Sequence, residues 1–182
     1  MEGSKALSGE SIFTIKKELD QNVREAEFVE REQFIGLIVG PDQFLLPISS
    51  ISEIMMLPPI TYLPQAPRFV EGVINLRGTI LPAINLRKMF GMTRADPTMG
   101  SRIIIARHDD IIVGLLVDGI SSVESLLPTE VEENVLTNKV LGLDLLGRLS
   151  KKQDKVRGIL DIAKIVKAIR GTNSDDEEDE AA

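Results

Sequence analysis

The chain has 182 residues, 43% of them hydrophobic and 27% charged, enough for one sizeable domain or two small ones sharing a core. It contains no cysteine and no tryptophan, which excludes disulfides and thiolate metal sites and leaves few platforms for stacking bases. The net charge is −7, but six negatives form one run, Asp175 to Glu180, and the remainder carries only −1; a nucleic-acid partner, which needs a basic footprint, is not expected.

No apolar run approaches the roughly 20 residues that cross a bilayer, and the polar start MEGSKALSGE does not read as a signal peptide. The expected location is the cytoplasm, without membrane insertion. Residues 1–10 are expected to be disordered. From Ser11, the apolar residues Ile12, Ile15, Leu19, Val23 and Ala26 recur at steps of three and four, which predicts a short amphipathic helix within an N-terminal extension, residues 1–31. Such a helix either docks on the domain or frays, or grips a partner helix.

At Gln33 the period becomes extended. Phe34–Val39 and Gln43–Leu46 flank Gly40-Pro41-Asp42, the pattern of a hairpin. Ile48 to Met56 fits a strand or a short helical turn equally well. Pro58, Pro59, Pro64 and Pro67 mark a loop. The stretch Phe69 to Gly91 then reads FVEGVINLRGTILPAINLRKMFG. Two apolar runs, Val70–Ile74 and Thr79–Ile84, flank the turn-like Asn75-Leu76-Arg77-Gly78. Both runs are apolar on both alternating faces, which predicts a hairpin sandwiched between two layers, with Arg77 at its tip in need of a partner.

Leu86 to Phe90 predicts one helical turn closed by Gly91, and Thr93 to Ser101 a polar loop. Arg102–Arg107 and Ile111–Val117 are two more strands, joined by His108-Asp109-Asp110. Asp118-Gly119 is either a turn or a bulge through which the strand continues to Leu127. Val131–Leu141 has no clear pattern, and the basic, glycine-punctuated stretch 147–158 reads as loop. Val156–Ile162 is a last strand and Ala163–Arg170 a terminal helix; residues 171–182 form an acidic tail expected to be disordered. About ten short strands at regular spacing, with helices only at the edges, argue for a small barrel or a pair of barrels. Parallel α/β architecture is excluded, since no crossover helices lie between the strands.

Catalytic arrangements are missing. The single histidine, His108, sits in a turn with Asp109 and Asp110, where neighbouring side chains splay instead of converging. No Gly-x-Ser-x-Gly elbow, phosphate-binding glycine loop or His-Glu-x-x-His occurs. No enzymatic activity, cofactor or metal is expected. The basic group Arg148, Lys151, Lys152, Lys155 and Arg157 reads as a solvated loop, as a site for an acidic surface, or as a partner for the chain's own acidic tail.

Gly72-Val73-Ile74-Asn75-Leu76-Arg77-Gly78-Thr79-Ile80-Leu81-Pro82 closely resembles the signature of the CheW-like adaptors of bacterial chemotaxis. Pro47–Ile54, Leu63–Pro67, Val113–Ile120 and Gly158–Ile162 are similar to further segments of that family, in the family's order. The resemblance spans residues 32–168, and a CheW-like domain is assigned to 32–170. It implies an all-β fold of two five-stranded src-homology-3-like barrels sharing a core, with short peripheral helices, and a strand that continues through Asp118-Gly119. It also implies a non-enzymatic scaffold of two-component signalling. Such an adaptor joins the regulatory domain of a chemotaxis histidine kinase to the cytoplasmic tip of a methyl-accepting chemoreceptor, and is recruited to membrane receptor arrays.

Carried over by position, Ile51, Glu53 and Ile54 match positions implicated in receptor contact, and Asn75 and Arg77 stand in the signature, the arginine being the one tied to receptor coupling. Gly72, Gly114 and Gly142 match glycines whose substitution disturbs partner binding. Asn85 stands where the family commonly has aspartate. The N-terminal extension, the basic stretch and the acidic tail are additions. They leave open a specialised variant, a decoy holding one partner only, or a pathway other than motility. A ligand-binding or hydrolytic barrel is the reading from another class, disfavoured by the missing catalytic groups.

Overall fold

The computed structural model describes residues 30–133, 145–152 and 155–175, and the account below concerns the unit that begins at Glu32. The amphipathic segment from Ser11, residues 1–10 and Gly142 lie outside the described residues. The strands are β1 (Glu32–Val39), β2 (Asp42–Pro47), β3 (Ile51–Met56), β4 (Val70–Leu76), β5 (Thr79–Asn85), β6 (Arg102–His108), β7 (Ile111–Val117), β8 (Gly119–Leu126), β9 (Val131–Glu133), β10 (Leu146–Lys152) and β11 (Lys155–Leu160). Among the described residues two α-helices accompany them, α1 (Leu86–Met89) and α2 (Ile162–Asp175).

A six-stranded sheet has the order β8-β1-β2-β11-β10-β9 and a five-stranded sheet the order β3-β6-β7-β5-β4. These are the two expected src-homology-3-like subdomains, with the three-residue β9 as an extra strand on one of them. Neighbours are antiparallel except for β2 with β11 and β5 with β7. The chain leaves the six-stranded sheet after β2, builds the whole five-stranded sheet, and returns at β8. The first passage is a single 3-10 turn, Ile48–Ser50, followed directly by β3, so the segment that fitted either a helical turn or a strand contains both. At the second passage β7 runs on into β8 in the other sheet with only Asp118 between them.

Three apolar clusters explain why the strands read as apolar on both faces. Ile74, Leu81, Ala83, Ile103 and Ile105 fill the five-stranded subdomain, and Phe34, Leu45, Leu126 and Ile159 fill the other. A larger cluster lies between the sheets, with Ile35, Leu37 and Leu46 from one and Ile84, Ile104, Leu115 and Val117 from the other, closed by Ile162, Ile165 and Val166 of α2. Alternate residues of one strand thus serve different cores. Ile103 and Ile105 point into their own subdomain, while Ile104 and Ala106 point into the shared layer.

Three expectations need correction. The central hairpin is not sandwiched along its length: on one face of β5, Ile84 is buried, Pro82 half-buried and Ile80 70% exposed. That face leaves the shared layer as the hairpin extends past the other sheet. The stretch 147–158 is no loop but most of the antiparallel hairpin of β10 and β11. Its alternation was hidden because Arg148 and Arg157 take positions where a hydrophobic residue would be expected and are neutralised by acids from other strands. The terminal helix extends to Asp175, five residues into the stretch read as tail.

Ser150 of β10 is fully buried, and its Oγ has no hydrogen-bond partner. An unmet buried hydroxyl costs about 1–3 kcal/mol, whereas the methyl of alanine costs nothing in polarity. Ser150→Ala is expected to leave the unfolding free energy, measured in urea, unchanged or to raise it by about 1 kcal/mol at most; a clear loss of stability would show that the hydroxyl is satisfied.

Candidate functional site

The tip of the β4–β5 hairpin is a two-residue turn, because β4 runs through Leu76 and β5 begins at Thr79. Arg77 has φ +50° and Gly78 φ +88°, as the twist-matched tight hairpin turn requires. For glycine this is free, but for arginine the left-handed conformation costs about 1 kcal/mol. Asn75 Oδ1 accepts a hydrogen bond of 2.8 Å from the Gly78 amide and holds the turn in place. Asn75 is therefore a turn-forming residue, and Arg77 is presented by it under strain.

Arg77, expected to need a partner, has one within its own chain. Its Nη2 lies 3.0 Å from both oxygens of Glu53. The arginine side chain stays 79% exposed, the glutamate 32%. Glu53 is on β3 and Arg77 at the end of β4, the two opposite edges of the five-stranded sheet. The ion pair thus bridges the seam where the sheet curls on itself. Exposed pairs of this kind contribute little to stability.

β3 carries the other predicted residues. A register shift between Ile51 and Glu53 lets Ile51 and Ile54 both turn half-buried against the shared core, with Glu53 left at the seam. Met56, at the end of the same strand, is 72% exposed, and Ile80, beside the hairpin tip, 70%. Of the predicted residues, Glu53, Asn75 and Arg77 meet at one seam, while Ile51 and Ile54 share the strand of Glu53 and pack on the shared core.

The two described glycines of the set act inside the fold. Gly72 has φ +150°, and a Cβ there would stand 2.2 Å from the Thr61 carbonyl oxygen. Thr61 and Val73 exchange two backbone hydrogen bonds of 2.8 Å, so the proline loop is pinned to β4 by a single isolated bridge. Gly114 is buried in the middle of β7, where a Cβ would meet the ends of Ile103 and Ile74. Neither glycine is a surface contact.

The family model described as "CheW-like domain" matches residues 33–170. The chain belongs to the CheW-like family. It is 30% identical to the chemotaxis protein CheW of Helicobacter pylori over 86% of this chain and 94% of that one. With the chemotaxis protein CheW of Thermotoga maritima it shares 33% identity over 79% and 93% of the two chains. Among solved structures it resembles the scaffolding protein TtCheW from Thermoanaerobacter tengcongensis, with a TM-score of 0.67 and 28% identity over 72% of this chain and 90% of that one. CheW-like proteins are non-catalytic scaffolds and adaptors of chemotaxis.

Two features of this CheW-like chain escaped sequence reasoning. Glu71, next to Gly72, lines a cleft of about 450 Å³ with Leu57, Ile60, Tyr62 and Val70. Lys88 Nζ lies 2.7 Å from it and Arg94 Nη2 3.7 Å. Asn85, the departure from the family pattern, donates to Glu71 Oε2 at 3.1 Å and accepts from the Lys88 amide at 3.2 Å, capping α1. An aspartate at that position would set a second carboxylate against Glu71; the amide supplies a donor instead. Burial pushes the Glu71 carboxyl up, but hydrogen bonds from Lys88 and Asn85 and the charges of Lys88 and Arg94 together bring it below the usual range.

The second feature is the basic group, which is not a solvated loop: four of its five cations bind acceptors on neighbouring strands. Arg148 binds Glu32 of β1 through two bonds of 2.7 and 2.8 Å, and its guanidinium lies 5.7 Å from the Phe34 ring centre. Arg157 makes a two-pronged pair with Glu124 of β8. Lys152 donates to the Ser125 carbonyl at 2.9 Å, and Lys151 pairs with Glu132 at 2.6 Å. Cations on β10 and β11 thus meet acceptors on β1, β8 and β9. His108, expected in the turn, is the last residue of β6, paired with Ile111 just before the Asp109-Asp110 turn; its side chain is 42% exposed and 3.6 Å from Asp109.

Proposed function

We propose that this CheW-like protein is a non-enzymatic adaptor. It couples the cytoplasmic tips of methyl-accepting chemoreceptors to the regulatory domain of a chemotaxis histidine kinase, so that receptor state controls autophosphorylation. The observation that carries the reading is the seam at Arg77: an exposed guanidinium, held in a strained turn and aimed by Glu53 of β3, the strand that also carries the half-buried Ile51 and Ile54. Backbone strain kept at a surface turn is a mark of function, and arginine with flanking apolar side chains is the usual composition of an interface anchor.

Among the described residues no helix is long and apolar enough to cross a membrane; in this reading the protein reaches receptor arrays by binding receptors. Gly72 and Gly114 act at one remove, by shaping the subdomain that presents the seam. Residues 32–170 form the working domain and residues 1–31 an extension to it.

The test is Arg77→Ala. Its melting temperature is expected to stay within about 2 °C of the parent, since an exposed ion pair contributes at most about 1 kcal/mol and alanine loses little by adopting the turn. Recovery with receptor-containing membranes should fall about tenfold, as for an interface hot spot, and receptor stimulation of the kinase with it. Unchanged recovery together with unchanged kinase control would sink the assignment.

A further inference from the structure

The two passages between the sheets are built differently. The first, the Ile48–Ser50 turn, has no side-chain cap. The second is pinned at one residue. The Asp118 amide donates to the Ile38 carbonyl of β1 at 3.0 Å. Its Oδ2 accepts from the Gly40 amide, in the β1–β2 turn, at 2.6 Å and from Arg87 Nε, on α1, at 2.7 Å. Arg87 also donates from Nη1 to the Thr93 carbonyl at 3.1 Å. One carboxylate oxygen therefore holds the turn of the six-stranded sheet and the helix that follows β5 of the five-stranded sheet. Both side chains are largely shielded, 30% and 24% exposed.

Where the sheets pack through the shared core, the contact is apolar. Such contact is non-directional and tolerates small rotations, whereas charge-assisted hydrogen bonds fix distance and angle. We propose that Asp118 and Arg87 are positioning residues: their bond sets the angle between the two subdomains, and through it the placement of Ile51 and Ile54 on β3. The Asp118 crossing is the fixed hinge and the Ile48–Ser50 turn the compliant one. The consequence for binding rests on the adaptor reading above; the consequence for the angle does not.

The cysteine-free chain allows a direct test with spin labels at Asp110→Cys, in the β6–β7 turn, and Thr129→Cys, between β8 and β9, both exposed. Two variants are compared with the parent. Asp118→Asn keeps an acceptor for Gly40 and loses the charge facing Arg87; Arg87→Lys keeps the charge and loses the fork to Thr93. In each, the inter-label distance distribution is expected to broaden about twofold, with recovery on receptor-containing membranes reduced about tenfold and far-ultraviolet circular dichroism unchanged. Superimposable distributions in both variants overturn the proposal whatever binding does, and so does broadening with full receptor recovery. If the parent itself fails to bind receptor, the adaptor reading falls and the distances alone decide the hinge.

Discussion

Gly72→Ala is expected to destabilise the domain by about 3–5 kcal/mol, lowering the melting temperature by about 10 °C. Two costs combine. The backbone at φ +150° is one that a side chain rarely adopts, worth about 1–3 kcal/mol. The new methyl would also stand 2.2 Å from the Thr61 carbonyl oxygen, a backbone atom that cannot swing aside. The proline loop must lift, and the two Thr61–Val73 hydrogen bonds go with it, each worth about 1 kcal/mol. Amide exchange should speed up at Val73 while β6 and β7 keep their protection. A melting temperature within 2 °C of the parent, measured by calorimetry, would show that the loop does not depend on this close approach. Partner binding lost in such a variant would reflect a displaced loop, not a removed contact.

Glu124→Ala is the second large effect, expected at about 2–3 kcal/mol. Glu124 and Arg157 are only 16% and 12% exposed, and removal of one member of a shielded pair strands the other charge. The figure stands below the range for fully buried pairs because some solvent remains. Arg157 has little to fall back on, since its Nε already lacks a partner. The same pair predicts an acid dependence. The hydrogen bonds from Arg157 hold the Glu124 carboxyl below the usual range against the opposing effect of burial, helped by the Arg157 charge, Ser122 and Lys152. A carboxyl whose folded value is depressed stabilises the fold above its unfolded value, about 4.3, and loses that contribution as pH falls through the folded value. Glu71 behaves in the same direction. Stability should therefore be flat from pH 7 to about 5 and fall below about 4, and Glu124→Ala should flatten the decline. An equally steep decline in the variant would place the acid sensitivity elsewhere.

Strand identity was legible wherever burial left a chemical trace. Ile103 to Ala106 and Ile111 to Val117 could be nothing else, because each strand supplies two cores at once and its apolar run is unbroken. Gly91 announced the end of α1 and has φ +68° there. The β10–β11 hairpin was misread for the converse reason: its inward positions include Arg148, Ser150 and Arg157, whose acids lie far away in sequence, so no local pattern betrays the strand. The site was half legible. The resemblance singled out Arg77, Glu53, Ile51 and Ile54, but periodicity could not show that the edges β3 and β4 meet, so Arg77 was assigned no partner in its own chain. Gly72 offered the one available clue to the docked proline loop, since a glycine inside a strand marks a close backbone approach; which segment approaches is a matter of three dimensions.

The nesting of one sheet inside the other constrains the order of assembly. Residues 51–117 contain every strand of the five-stranded sheet in a contiguous segment, whereas β1 must wait for β8 and β2 for β11. A nascent chain emerging from the ribosome can close the inner sheet while its first hairpin still lacks both outer neighbours. Asp118 is the first residue past the completed inner sheet, and its amide bonds back to Ile38 of that waiting hairpin. The residue that joins the finished subdomains is thus also the one at which the outer sheet can begin to zip, before β10 and β11 have been made.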